Sequence, residues 1–156
     1  MRKIIIPILA LSVVVAASVQ VSSRSRGAVT KGTVYVPVYS SIYHSDLKWE
    51  FSLAITLSIH NVDPKNKIVI TSINYYSSSG KLIQDHLAGR QLELKPLETY
   101  NLGIKATDTR GGIGANFIVR WQSYSRVNKP LIETVMIGTS GQQGISFTSR
   151  GIDIRD

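Results

Sequence analysis

Phe51-Ser52-Leu53-Ala54-Ile55-Thr56-Leu57-Ser58-Ile59-His60 decides the fold class. Large apolar residues alternate there with small or polar ones. A period of two puts successive side chains on opposite faces of a strand. Phe51, Leu53, Ile55, Leu57 and Ile59 form a face to bury. Ser52, Ala54, Thr56, Ser58 and His60 form a wetter one.

The segments downstream keep this character. Residues 61–66, with Asp63-Pro64 at their centre, read as a turn, and residues 67–76 resume as a β-branched strand. Ser77-Ser78-Ser79-Gly80 turns again, and residues 81–86 return. Leu92 and Leu94 alternate with charged residues. Pro96 interrupts, and Tyr100, Leu102 and Ile104 alternate once more. A strand, a proline-containing crossing and a second strand suit a bend between two sheets. Residues 115–122, 130–137 and 145–149 supply further strands. The expected fold is all-β: an antiparallel immunoglobulin-like β-sandwich of about eight strands, with a small β-barrel as the alternative. The connections are too short for the crossover helices of a parallel α/β fold.

Upstream, Met1-Arg2-Lys3 precedes an apolar run from Ile4 to Val15, and Ala16-Ala17-Ser18 follows. This is the basic, apolar and small-residue order of a secretory signal peptide. The run is shorter than the roughly 20 residues of a membrane span. The expected organisation is a signal peptide over 1–18, a flexible lead over 19–33 and one domain over 34–156. The alternative is an uncleaved anchor reaching Val21. The expected location is therefore the periplasm or cell envelope. Of the 156 residues, 18 are Lys or Arg and 10 are Asp or Glu, a net charge of +8. Loss of Arg2 and Lys3 with the signal leaves +6, dispersed and without a nucleic-acid motif, so no nucleic-acid partner is expected. Peripheral attraction to an anionic membrane surface stays open. The absence of cysteine excludes disulfides, thiolate metal sites and cysteine nucleophiles.

Three stretches supply candidate binding residues. In Tyr35-Val36-Pro37-Val38-Tyr39-Ser40-Ser41-Ile42-Tyr43, a single strand would bury the aliphatic residues and line Tyr35, Tyr39 and Tyr43 along the other face. Pro37 would place that strand at an edge or bulge. Tyrosine rings there would stack on sugars or anchor a protein. In Asp108-Thr109-Arg110-Gly111-Gly112-Ile113-Gly114-Ala115-Asn116, three glycines with Arg110 would cradle an anion or make a tight loop capped by Asn116. The loop lacks a Walker or dinucleotide pattern. Ser140 in the glycine-rich 138–151 stretch lacks the nucleophile-elbow spacing. His44 and Asp46, with His86 or Glu133, have no recognised ligand spacing, so no metal or cofactor is expected.

The runs at 35–44, 57–64 (Leu-Ser-Ile-His-Asn-Val-Asp-Pro), 70–76 (Ile-Thr-Ser-Ile-Asn-Tyr-Tyr), 111–117 (Gly-Gly-Ile-Gly-Ala-Asn-Phe) and 136–151 occur in one order. Together they resemble the bacterial family called domain of unknown function 3124, across residues 33–152. The resemblance implies an exported bacterial protein and transfers no activity or catalytic residue. His60 stands where that family tends to have Arg, and Ser78 and Ser79 where acidic residues are common.

The expected function is a non-catalytic binding or accessory module of the cell envelope, taking glycan, peptide or protein. One alternative is a small exported hydrolase using His44, Asp46 and a distant serine. The other is a structural subunit assembling through edge strands.

Overall fold

The computed structural model describes residues 29–44, 46, 48–139 and 144–155. The expected signal segment and residues 19–28 of the lead lie outside them. Twelve strands follow in order: β1 (Val29–Val38), β2 (Ser41–His44), β3 (Trp49–Ser52), β4 (Ala54–His60), β5 (Ile68–Tyr76), β6 (Leu82–Asp85), β7 (Leu92–Leu94), β8 (Thr99–Ile104), β9 (Ala115–Val127), β10 (Leu131–Gly138), β11 (Ile145–Arg150) and β12 (Ile152–Ile154). β1 starts inside the stretch expected as lead.

All strand pairs are antiparallel. One sheet runs β12-β1-β9-β5-β6, with β7 also on β5. A second runs β11-β10-β4-β8. β2 and β3 form a separate hairpin. One core joins both sheets: Val34, Val36, Ile73, Phe117, Val119 and Trp121 from the first, and Ile55, Leu57, Ile59, Ile132 and Met136 from the second. The molecule is a β-sandwich, and neither sheet closes into a barrel.

The alternation of residues 53–59 lands as read: Leu53, Ile55, Leu57 and Ile59 are all buried. The proline crossing at Pro96 also lands as read. β7 pairs with β5 in the larger sheet, and β8, just after the crossing, pairs with β4 in the smaller. A second crossing follows Arg150. There β11 ends at one sheet's edge and β12 begins at the other's, while the Gly151 amide donates to the Ile132 carbonyl at 2.9 Å.

The turn at 61–66 is a polar hub. Asn61 Nδ2 donates to the carbonyls of Asn66 and Lys95 at 2.9 and 2.8 Å, tying the turn to the end of β7. Asp63 Oδ1 accepts from the amides of Lys65 and Asn66, and its Oδ2 accepts from the Asn128 amide. These backbone donors, Asn128 foremost, hold the Asp63 carboxyl below the ordinary carboxylate range.

Candidate functional site

The run expected as one strand is divided. β1 ends at Val38, and the chain turns at Ser40, whose amide donates to the Gly112 carbonyl at 3.1 Å, before β2 begins. The three tyrosines are therefore separated. Tyr39 packs edge-on against Phe147 of β11, with ring centroids 5.7 Å apart. Tyr43 lies on the small β2–β3 hairpin and is 50% exposed. Tyr35 stays on β1, opposite in direction to the buried Val34 and Val36. It thus points out from the larger sheet.

Register places four other side chains beside it. Cross-strand partners in an antiparallel sheet share a face. Tyr35 is opposite Ile152 of β12 on one side and Ile118 of β9 on the other. In the next row Pro37 is opposite Asn116, and Asn116 is opposite Tyr76 of β5. Tyr35 and Asn116 therefore lie diagonally on one outward face. Ile152 is 61% exposed, and Tyr35, Ile118, Asn116 and Tyr76 are half-buried. The result is a platform with two phenol rings, two aliphatic side chains and an amide. The facing is explained by β1 itself, where valine at every second position commits the intervening residues to the outside.

Pro37 sits beyond the last β1–β12 pair, Tyr35 with Ile152. β1 is thus an inner strand along its middle and an open one at Pro37, where a missing backbone donor costs the ladder nothing.

Arg110 lies away from this platform, on the loop between β8 and β9. Its Nε and Nη2 donate to both oxygens of Asp108, at 2.8 and 2.7 Å. That fork holds the Asp108 carboxyl below its ordinary range. The loop is clamped from two sides. Ser40 Oγ donates to the Gly112 carbonyl at 3.1 Å, and Ser78 Oγ donates to that of Gly111 at 2.9 Å while accepting from the Gly114 amide. The Gly112 amide donates to the Thr109 carbonyl. Gly112 and Gly114 amides are thus spent within the protein, and the arrangement is a fastened loop. A side chain at Gly111 would meet Tyr75 Oη at 2.0 Å, so that residue must be glycine for the loop to lie on β5.

Beneath the loop, Tyr75 stacks on Phe117 at 4.9 Å, and His86 lies 6.0 Å from the same ring. Burial pushes the Tyr75 phenol up and the His86 imidazolium down, so His86 is neutral near pH 7. Asp108, Arg110 and His86 line a cleft of about 540 Å³ between the edges of the two sheets. A larger hollow of about 900 Å³ lies where β11 crosses to β12, over Val34 and Ile132 and beside the Lys129–Asp153 ion pair.

His44 lies edge-on to Phe51 at 6.0 Å, and Asp46 occupies the hairpin turn. Glu133 is 3.7 Å from His60 on β4. Among the described residues, no three histidine or acidic side chains gather at one point, and no helix is long and apolar enough to cross a membrane. Ile118 and Ile152 were missed from the sequence. Only the cross-strand register, which no local pattern specifies, puts them beside Tyr35.

The model of the family described as Protein of unknown function (DUF3124) matches residues 31–154. The chain belongs to that family. The match starts within β1 and ends at β12, so this DUF3124 domain includes both sheets. Among curated proteins nothing matches it. Among solved structures, one described as "Crystal Structure of Thermotoga maritima 1070" is similar, with a TM-score of 0.46 and 11% identity over 78% of this chain and 92% of that one.

Proposed function

We infer that this DUF3124 protein is an exported, non-catalytic module that holds a polysaccharide of the cell envelope on the outer face of its larger sheet. The row Ile152–Tyr35–Ile118, running unbroken across three strands and facing outward, is the observation that carries the reading. A phenol ring with flanking aliphatic groups offers a sugar ring an apolar face, and the Asn116 amide offers its hydroxyls a donor and an acceptor. These five side chains include no carboxylate and no imidazole. Export rests on the basic, apolar and small-residue order of residues 1–18.

Co-sedimentation with insoluble envelope polysaccharide tests the binding. Tyr35→Ala should weaken it about 3- to 10-fold, while Tyr43→Ala on the separate hairpin leaves it unchanged. Equal loss from both, or from neither, contradicts the reading. Export has its own check. N-terminal sequencing of chain recovered from the envelope should read Val19-Gln20-Val21, and a chain still beginning at Met1 excludes cleavage.

A further inference from the structure

A second surface, remote from the platform in register, presents main-chain groups instead of side chains. Among the described residues, β8 is the last strand of its sheet and pairs only with β4. Which of its groups face outward follows from one bond: the Asn61 amide donates to the Glu98 carbonyl at 2.9 Å. Asn61 and Glu98 continue the β4–β8 register, so they form a hydrogen-bonded pair. Hydrogen-bonded and open pairs alternate in an antiparallel ladder. Ile59–Tyr100, Leu57–Leu102 and Ile55–Ile104 are then bonded pairs, and His60–Thr99, Ser58–Asn101 and Thr56–Gly103 are open ones. Side chains approach more closely at open pairs. That agrees with the 2.7 Å contact of Ser58 Oγ with Asn101 Oδ1 and the 2.8 Å contact of His60 Nδ1 with Thr99 Oγ1. The amides and carbonyls of Asn101 and Gly103 therefore point away from β4.

Such an edge invites pairing unless something blocks it. The other edge strands of the two large sheets each carry a charge: β12 holds Asp153, β11 ends on Arg150, β7 holds Glu93, and β6 holds Asp85 and a register shift between Tyr75 and Tyr76. β8 has no proline, charge or register shift along its six residues. At Gly103 the space where a side chain would stand is open, with no atom within 4 Å. The edge opens into the cleft of about 540 Å³ that Gln84 and His86 wall on the opposite side. Lys105, next after β8, also lines that cleft; its carbonyl accepts from the Asp108 amide, and its ammonium makes no ion pair among the described residues. Arg110 cancels Asp108, so the rim keeps an excess positive charge.

The geometry points to this cleft as a receptor for an extended, acidic segment of another polypeptide, which adds as a strand to β8 and sets a carboxylate against Lys105. This site is independent of the polysaccharide platform, and each can fail without the other.

The probe is a phage-displayed library of random octapeptides, panned over the full chain. Sequences carrying Asp or Glu should be enriched. The best of them, made synthetically, should bind Tyr43→Ala, on the separate β2–β3 hairpin, like the unaltered chain. Gly103→Pro removes an outward amide and leaves every β4 bond in place, so affinity should fall about tenfold or more. Lys105→Glu should weaken binding most at low salt. If Gly103→Pro fails to fold, methylating the peptide amides gives the same test from the other partner: methylation at alternate residues should abolish binding in one phase and spare it in the other. Absence of acidic enrichment, equal binding by Gly103→Pro, or indifference to methylation overturns the assignment. A dimer of the chain itself that Gly103→Pro dissolves would give the edge to a second copy and overturn it too.

Discussion

Single residues set the stability of this sandwich in ways that differ in how well the sequence shows them. Trp121 alternates with Val119 and Phe117 along β9, and it is only 2% exposed. Trp121→Ala should cost about 3–5 kcal/mol in urea unfolding, and a loss under about 1 kcal/mol would contradict that packing. Asp63 was read only as part of a turn. Its role as acceptor for Lys65, Asn66 and the distant Asn128 amide depends on the tertiary fold, because Asn128 lies beyond five intervening strands. The sign of its pH effect follows from its lowered folded value. Its contribution is complete above the ordinary carboxylate range near pH 4 and is lost as pH falls through the folded value. Asp63→Asn should therefore lower the urea midpoint at pH 7, with the gap from the unaltered chain closing in acid. A gap independent of pH would assign the effect to packing.

At the level of elements, period-two alternation and turn residues made most strands legible. β4, β5, β8, β9, β10 and β11 all overlap the stretches read as strands. The Pro96 crossing was legible because proline stands where the alternation is interrupted between Leu94 and Tyr100. Three features were not. The break at Tyr39–Ser40 leaves no breaker residue in the sequence. It arises from the Ser40 bonds to the Gly112 carbonyl, 72 residues away. The β2–β3 hairpin hides in the same way, because Trp49-Glu50 continues the alternation of residues 51–60, whose first two residues belong to β3 and not to β4. β12 is three exposed residues long and has almost no pattern to read. Its placement depends on Gly151, where a side chain would come within 2.6 Å of Val34 Cγ1 and 3.1 Å of the Ile132 carbonyl. Gly151→Ala should destabilise by about 1–3 kcal/mol. Because β12 supplies Ile152, it should also weaken polysaccharide binding. Unchanged unfolding in urea would show that the crossing tolerates a side chain.

For the whole molecule, two sheets share one core, and both proposed surfaces lie on what that core leaves uncovered. One is an outward face of side chains, and the other is a sheet edge of outward main-chain groups. Of the residues chosen from sequence, Tyr35 and Asn116 share the first surface, Arg110 borders the second, and Tyr39 and Tyr43 belong to neither. The reason is physical. Alternation says which side of a strand a residue takes, while sheet order and register say which residues become neighbours, and those are set by contacts distant in sequence.

The most direct test of polysaccharide binding on the larger sheet is amide chemical-shift mapping of the isotopically labelled chain as soluble envelope-glycan fragments are added. Shifts should concentrate at Tyr35, Asn116, Ile118 and Ile152, with Leu102, Gly103 and the β2–β3 hairpin unmoved. Shifts gathered at the β8 cleft or the hairpin, or no shifts at saturating fragment, would contradict it.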